Sequence, residues 1–213
     1  MDDLHLYIDH TYLQPIAQIS TIISLCEEAK KYQFASVCVN PYFVSVVSKE
    51  LQLTGVEVGT VVGFPLGMNT MKTKMFEAEQ VIDDGATEID LVLNIGALKE
   101  GEFDYVRDEI YFIKAIAKQQ VLKVIIETCY LTTQEKIIAC ELAKEAGADF
   151  VKTSTGFGPK GATVEDVTLM RKIVGTSMGV KASGGIKDKE TAIAMIRAGA
   201  TRIGTSSGVL LVS

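Results

Sequence analysis

Three times the chain ends a helix-like stretch on Gly-Ala and enters a β-rich run: Gly85-Ala86-Thr87-Glu88-Ile89-Asp90, Gly147-Ala148-Asp149-Phe150-Val151-Lys152 and Gly199-Ala200-Thr201-Arg202-Ile203-Gly204. A glycine there lets a helix end in the left-handed conformation, so each phrase reads as a helix-to-strand joint. The same alternation runs the length of the sequence. Strands are predicted near Leu6 to Asp9, Ser36 to Val39, Glu57 to Val62, Glu88 to Asn94, Leu122 to Glu127, Phe150 to Thr153, Gly179 to Ala182 and Arg202 to Gly204. Helical periodicity falls between them, at Ile19 to Tyr32, Pro41 to Leu51, Thr70 to Asp84, Phe103 to Lys118, Thr133 to Ala146, Thr163 to Val174 and Lys189 to Ala198, and Thr132 with Glu135 has capping-box spacing. Eight strands alternating with helices fit an α/β chain of the (β/α)8 (TIM) barrel class, one catalytic domain over residues 1–213, with its active site at the C-terminal strand ends. An open doubly wound sheet is the alternative. It is weakened because no G-x-G-x-x-G follows the first strand.

Composition narrows the function. The 213 residues are 47% hydrophobic, enough for a large core, and carry 21 Lys and Arg against 27 Asp and Glu, a net charge of −6. No basic stretch is present to neutralise phosphates, which argues against nucleic acid as a partner. Cys26, Cys38, Cys129 and Cys140 lack C-x-x-C spacing and read as buried free thiols of a reducing compartment. Met1-Asp2-Asp3-Leu4-His5 lacks the basic start and apolar core of a secretion signal, and no apolar run reaches the ~18 residues of a membrane span. The expectation is a cytoplasmic protein without membrane contact.

Five positions after each repeat glycine stands a residue foreign to an apolar strand: Asp90, Lys152 and Gly204. Cys38 shares the offset, counted from Gln33, and is expected at the barrel mouth as packing. Lys152 has a near copy one strand-helix unit later, in Val151-Lys152-Thr153-Ser154-Thr155-Gly156 and Val180-Lys181-Ala182-Ser183-Gly184-Gly185. That spacing places two ammonium groups on neighbouring strands. At roughly 4 to 5 Å and an effective dielectric near 20, their repulsion is about 3 to 4 kcal/mol, enough to lower one pKa by about 2 to 3 units. A buried ion-pair network is the bland explanation. The excess of lysine over aspartate counts against it, since an unneeded buried ammonium is costly. A neutral lysine, a second lysine that keeps it neutral and a carboxylate that moves protons are the minimum set for Schiff-base chemistry. Gly184-Gly185-Ile186 after the seventh strand and Gly204-Thr205-Ser206-Ser207-Gly208 after the eighth supply bare amides and hydroxyls where this fold often holds phosphate.

Eight stretches, in this order, carry a resemblance over nearly the whole chain. They are Ile8-Asp9-His10-Thr11, Val37-Cys38-Val39-Asn40-Pro41, Gly63-Phe64-Pro65-Leu66-Gly67, the run from Glu88 to Gly96, Ile126-Glu127-Thr128, the run from Val151 to Phe157, the run from Val180 to Ile186, and Arg202-Ile203-Gly204-Thr205-Ser206-Ser207. The sequence resembles the deoxyribose-phosphate aldolases, class I aldolases on a (β/α)8 barrel. The resemblance implies reversible cleavage of 2-deoxy-D-ribose 5-phosphate to D-glyceraldehyde 3-phosphate and acetaldehyde, with no metal and no organic cofactor. It implies Lys152 as Schiff-base lysine, Lys181 as the group that depresses its pKa, and Asp90 as proton donor and acceptor. Asp9 would assist the relay or bind a substrate hydroxyl, with Thr11 beside it, and Gly156, Gly184, Gly185, Gly204, Ser206 and Ser207 would hold the phosphate. The partners implied are small sugar-phosphate and aldehyde substrates, and the family suggests a homodimer.

Two features stand apart from that pattern. Lys160, in the glycine-rich stretch from Gly156 to Thr163, is expected to face solvent, and the eighth helix looks cut short at Ser213. Another Schiff-base aldolase on the same barrel, or a non-catalytic sugar-phosphate binding barrel, would share part of this pattern. The paired lysines favour the first reading.

Overall fold

The Gly-Ala phrases do what their chemistry dictates. In the computed structural model, which describes residues 3–213, Gly85, Gly147 and Gly199 have φ of 105°, 79° and 116°. Each donates its N–H to the carbonyl three residues back, and the following alanine donates to the carbonyl five back, as in Gly85 to Ile82 and Ala86 to Val81. This is the Schellman arrangement, which satisfies the last helical carbonyls. The third residue then joins the sheet: Thr87 donates to Val58 O, Asp149 to Leu122 O and Thr201 to Val180 O. One tripeptide thus stops a helix and starts a strand. Met1 and Asp2, part of the stretch read above for a secretion signal, lie outside the described residues.

The strands are β1 Ile8–Tyr12, β2 Ser36–Val39, β3 Glu57–Val62, β4 Glu88–Val92, β5 Val121–Ile125, β6 Phe150–Lys152, β7 Gly179–Ser183 and β8 Arg202–Thr205. All neighbours pair in parallel, and β1 pairs with both β2 and β8, so the sheet closes as the expected (β/α)8 barrel. The connecting helices are α1 Ile19–Tyr32, α2 Val44–Glu50, α3 Met71–Asp83, α4 Ile95–Lys99, α5 Phe103–Ala117, α6 Thr133–Glu145, α7 Val164–Val174, α8 Lys189–Arg197 and α9 Gly208–Val212. The capping box at Thr132 and Glu135 opens α6. Three expectations shift. The first strand starts at Ile8, because Leu4–Tyr7 form a 3-10 turn that buries Leu4 and leaves Leu6 exposed. Pro41–Phe43 is a 3-10 turn leading into α2. The unforeseen α4 is capped by Asn94, whose Oδ1 accepts from Ala97 N at 3.0 Å.

The last helix, α9, has five residues with Leu211 fully buried, and β8 pairs with β1 to close the barrel.

Burial explains why the strands do not read as unbroken apolar runs. Residues facing the helices, such as Val37, Ile89, Leu91, Val124, Val151, Val180 and Ile203, form the main core. Their alternates point into the barrel, and there the chain places Asp9, Glu88, Asp90, Lys123, Lys152 and Lys181, all buried. A period of two therefore separates an apolar outer layer from an ionic interior.

Candidate active site

The fifth-residue rule brings its members together. Lys152 and Lys181 are register partners on β6 and β7, and both Nζ atoms lie 2.7 Å from the same Asp90 oxygen, Oδ2. Cys38 packs at the mouth with Leu13, Val61 and Phe64, apart from the main core. At Gly204 a Cβ would lie 3.0 Å from Lys181 Cε and 2.9 Å from Ser183 Cβ, so glycine there leaves Lys181 its space.

Below this trio the network widens. Lys181 also contacts Asp9 Oδ2 at 2.5 Å. Lys123, from β5, contacts Asp90 Oδ1 at 3.2 Å and Glu88 at 2.5 Å. Arg202 reaches Asp9 Oδ1 at 2.6 Å and Glu88 at 3.1 Å. Four basic groups thus face three carboxylates, all of them buried except Arg202, which is partly exposed. The two sides balance only when one base is neutral. An unmatched buried charge is expensive, so the network itself selects against full protonation.

Which base gives way follows from the neighbours. Lys152 has its pKa lowered, first by burial and then by the Lys181 charge, against the pull of Asp90. Burial would also lower Lys181, but Asp9 and Asp90 outweigh it and hold this ammonium above the ordinary lysine range. For Lys123 burial is likewise outweighed, by Asp90, Glu88 and Asp9. Burial would raise Asp90, yet the three lysines keep it well below the usual carboxylate range. Desolvation is the largest cause of the lowering at Lys152, and Lys181 adds to it in the direction expected. Asp90 in the resting site is an acceptor, and any proton it donates must first come from a neighbouring lysine.

Lys152 is the one member of this network that lines the cavity above it, a space of about 250 Å³. Thr11, Gly156, Gly184, Gly185, Gly204 and Ser206 line it as expected. The N–H groups of Gly156, Gly184, Gly185 and Ser206 make no backbone hydrogen bond. Their loops are held to one another, because Ala162 N donates to Ser183 O and Gly184 O, and a Cβ at Gly161 would fall 2.1 Å from Gly184 O.

Two of the expected site residues lie outside the lining. Asp9 does not line the cavity: it is fully buried with its oxygens on Lys181 and Arg202, a placement that suits the expected support of the relay and not the alternative contact with a substrate hydroxyl. Ser207 is also absent from the lining, and its N–H is spent on Thr205 Oγ1 at 2.9 Å.

Lys160 is exposed, as expected. His10 bonds Glu28 through Nε2 at 2.6 Å, on the helix side of β1. Among the described residues, no three His, Cys, Asp or Glu side chains converge as a metal site requires. The sequence reading missed Lys123, Glu88 and Arg202, and also Lys187, exposed on the cavity rim. Period-two counting back from Asp90 and Gly204 would have put Glu88 and Arg202 on the inner face.

Comparison with known proteins agrees with this geometry. The model of the DeoC/LacD family aldolases matches residues 4–211. A deoxyribose-phosphate aldolase of Thermococcus gammatolerans is 59% identical over 99% of this chain and 95% of its own length. One from Caldanaerobacter subterraneus subsp. tengcongensis is 62% identical over 96% of this chain and 90% of its own. Among solved structures, a putative deoxyribose-phosphate aldolase from Coccidioides immitis superposes with a TM-score of 0.96 at 44% identity, covering 98% of this chain and 84% of that one. A tetrameric deoxyribose phosphate aldolase from Aeropyrum pernix gives 0.93 at 35% identity, covering 99% and 90%.

Proposed function

The chain belongs to the DeoC/LacD family of aldolases, and on that premise we propose how its site performs the reaction of a deoxyribose-phosphate aldolase. It is a lyase that cleaves 2-deoxy-D-ribose 5-phosphate reversibly to D-glyceraldehyde 3-phosphate and acetaldehyde. The observation that carries the residue assignment is the shared contact of Lys152 and Lys181 with Asp90 Oδ2, at the floor of a cavity that, of these three, Lys152 alone lines.

The neutral Nζ of Lys152 adds to the aldehyde carbon of the open-chain sugar. The carbinolamine loses water to an iminium, which draws in the electrons of the C2–C3 bond as the C3 hydroxyl gives up its proton. Glyceraldehyde 3-phosphate leaves. The enamine takes a proton at C2, water adds to the iminium, and acetaldehyde departs with the lysine restored. Asp90 accepts the proton that Lys152 Nζ sheds as the carbinolamine forms and returns it as water leaves, while Lys181 stays an ammonium that favours the free amine of Lys152. Asp9 serves by anchoring Lys181 rather than by touching substrate. The free amides of Gly156, Gly184, Gly185 and Ser206, with Lys187 at the rim, take the phosphate, and Thr11 lines the same cavity. None of these steps calls on a metal or organic cofactor.

The chain acts as one catalytic domain on small molecules. Among the described residues no helix is long and apolar enough to cross a membrane, and the four free thiols fit a reducing cytoplasm. Homo-oligomerisation is part of this reading, and light scattering tests it. The decisive experiment is borohydride reduction with acetaldehyde. An ethyl adduct is expected on Lys152 and none on the folded Lys152→Ala variant; a folded parent chain without the adduct refutes the assignment.

A further inference from the structure

Glu88 and Arg202 belong to no step above and line no part of the cavity. Yet they are built into its support. Glu88 stands two residues before Asp90 and receives Lys123 at 2.5 Å, while Arg202, two before Gly204, bridges Glu88 and Asp9. The Phe150 ring closes the layer, 5.9 Å from Lys123 Nζ and 5.6 Å from Arg202 Cζ. Gly179 makes room for it, since a Cβ there would meet the ring at 2.2 Å.

The charges around Lys152 can be named strand by strand. Asp9 comes from β1, Glu88 and Asp90 from β4, Lys123 from β5, Lys181 from β7 and Arg202 from β8. Strand β3 contributes Val61 to the interior, and its one charge, Glu57 at the strand start, is exposed to solvent. The Cys38 thiol of β2 is pushed up to about 11 by burial and by Asp90, and stays neutral. Glu127, just past β5, is turned away onto Thr155, accepting its N–H and hydroxyl. Apart from Lys152, three cations and three carboxylates remain.

We propose that Glu88 and Arg202 are positioning residues that set the charge of Lys152, each by holding one unit of the buried balance, without touching substrate. This rests on Lys152 being the nucleophile. Neutralising Glu88 leaves a surplus cation and favours the free amine. Neutralising Arg202 leaves a surplus carboxylate and favours the ammonium. The two substitutions therefore act in opposite directions, which loss of packing alone does not do.

The test is cyanoborohydride trapping with acetaldehyde, together with kcat/KM, followed across pH. Glu88→Gln is expected to move the acid limb down, and Arg202→Met to move it up, each by about one pH unit, the size of a unit charge roughly 10 Å away at an effective dielectric of about 20. At a fixed pH on that limb each shift is about a tenfold change. Arg202→Lys should keep the parent profile, and the double variant Glu88→Gln/Arg202→Met should return towards it. Shifts of the same sign, or none, with Lys152 still trapped, overturn the proposal. Should Arg202→Met fail to fold, Glu88→Gln alone decides, and a limb that does not move down refutes it. A parent chain that never traps at Lys152 would sink the nucleophile assignment instead, a separate result.

Discussion

Replacing Lys181 by Met tests the electrostatic account where it is strongest. Lys152 Nζ and Lys181 Nζ each lie 2.7 Å from Asp90 Oδ2, which sets them about 4.5 to 5 Å apart for an ordinary angle at the oxygen. At an effective dielectric of about 20 their repulsion is about 3 kcal/mol, or about 2 pKa units. Removing Lys181 also leaves Asp90 with Lys123 and Lys152 as its ionic partners, which strengthens its hold on the Lys152 ammonium. Both effects have the same sign. The folded-state pKa of Lys152 rises, the free amine becomes scarce at neutral pH, and the acid limb of kcat/KM moves up by about 2 units, a fall of about a hundredfold on that limb. The assay is a pH-rate profile with acetaldehyde trapping at each pH, on protein shown by circular dichroism to be folded. An acid limb that stays in place would refute the argument and leave desolvation, the larger influence on Lys152, as sufficient by itself.

Three further outcomes follow from particular contacts. Ser206→Asp puts a carboxylate among the free amides of the cavity, so KM for the phosphorylated substrate should rise about tenfold while kcat changes little, and an unchanged KM counts against the phosphate assignment. Lys74→Met breaks a fully buried pair with Glu109 and the 2.9 Å bond from Lys74 Nζ to Val92 O, and should cost about 3 to 5 kcal/mol in urea unfolding, most of it recovered by Lys74→Met/Glu109→Leu. Because burial already raises Glu109, the single variant should lose further stability as pH rises, when that carboxyl must ionise unpaired. Lys152→Met should be as stable as the parent at neutral pH or more so: a lysine whose folded pKa is lowered costs about 1.4 kcal/mol per unit of lowering below its unfolded pKa. A clear loss of stability in that variant would show Lys152 to be a structural ion-pair member.

Much of this site was legible because the barrel repeats itself. A left-handed residue, then four more, leads to Cys38, Asp90, Lys152 and Gly204, counted from Gln33, Gly85, Gly147 and Gly199, and all four starting residues have positive φ. Lys123 escaped although it obeys the same count, five residues after Lys118 at φ 51°, because a lysine without a Gly-Ala phrase does not announce a positive φ in the sequence. Glu88 and Arg202 escaped for another reason. Charged residues are common at strand starts, where they usually meet water, and only the alternation counted back from Asp90 and Gly204 marks these two as inward-facing. The alternative left open for Asp9, relay or substrate hydroxyl, has a related origin. A motif shows that an aspartate is near the reaction, but depth along the strand decides whether it meets substrate or a lysine.

Depth also separates this network from one that merely holds the barrel together. A structural network gains from equal numbers of the two charges, and Asp9, Glu88 and Asp90 with Lys123, Lys181 and Arg202 already provide that. Lys152 is the surplus, and its Nζ is bonded from below by Asp90 while its upper side opens to the cavity. Removing a proton from it brings the interior into balance. Forming an iminium puts a positive charge back at the same atom, beside the same Asp90 oxygen that stabilised the ammonium. The network therefore resists protonation of the free lysine yet presents a carboxylate to the cationic intermediate, and the difference between the two lies in what the nitrogen gains: a proton alone, or a carbon whose bond the charge can break.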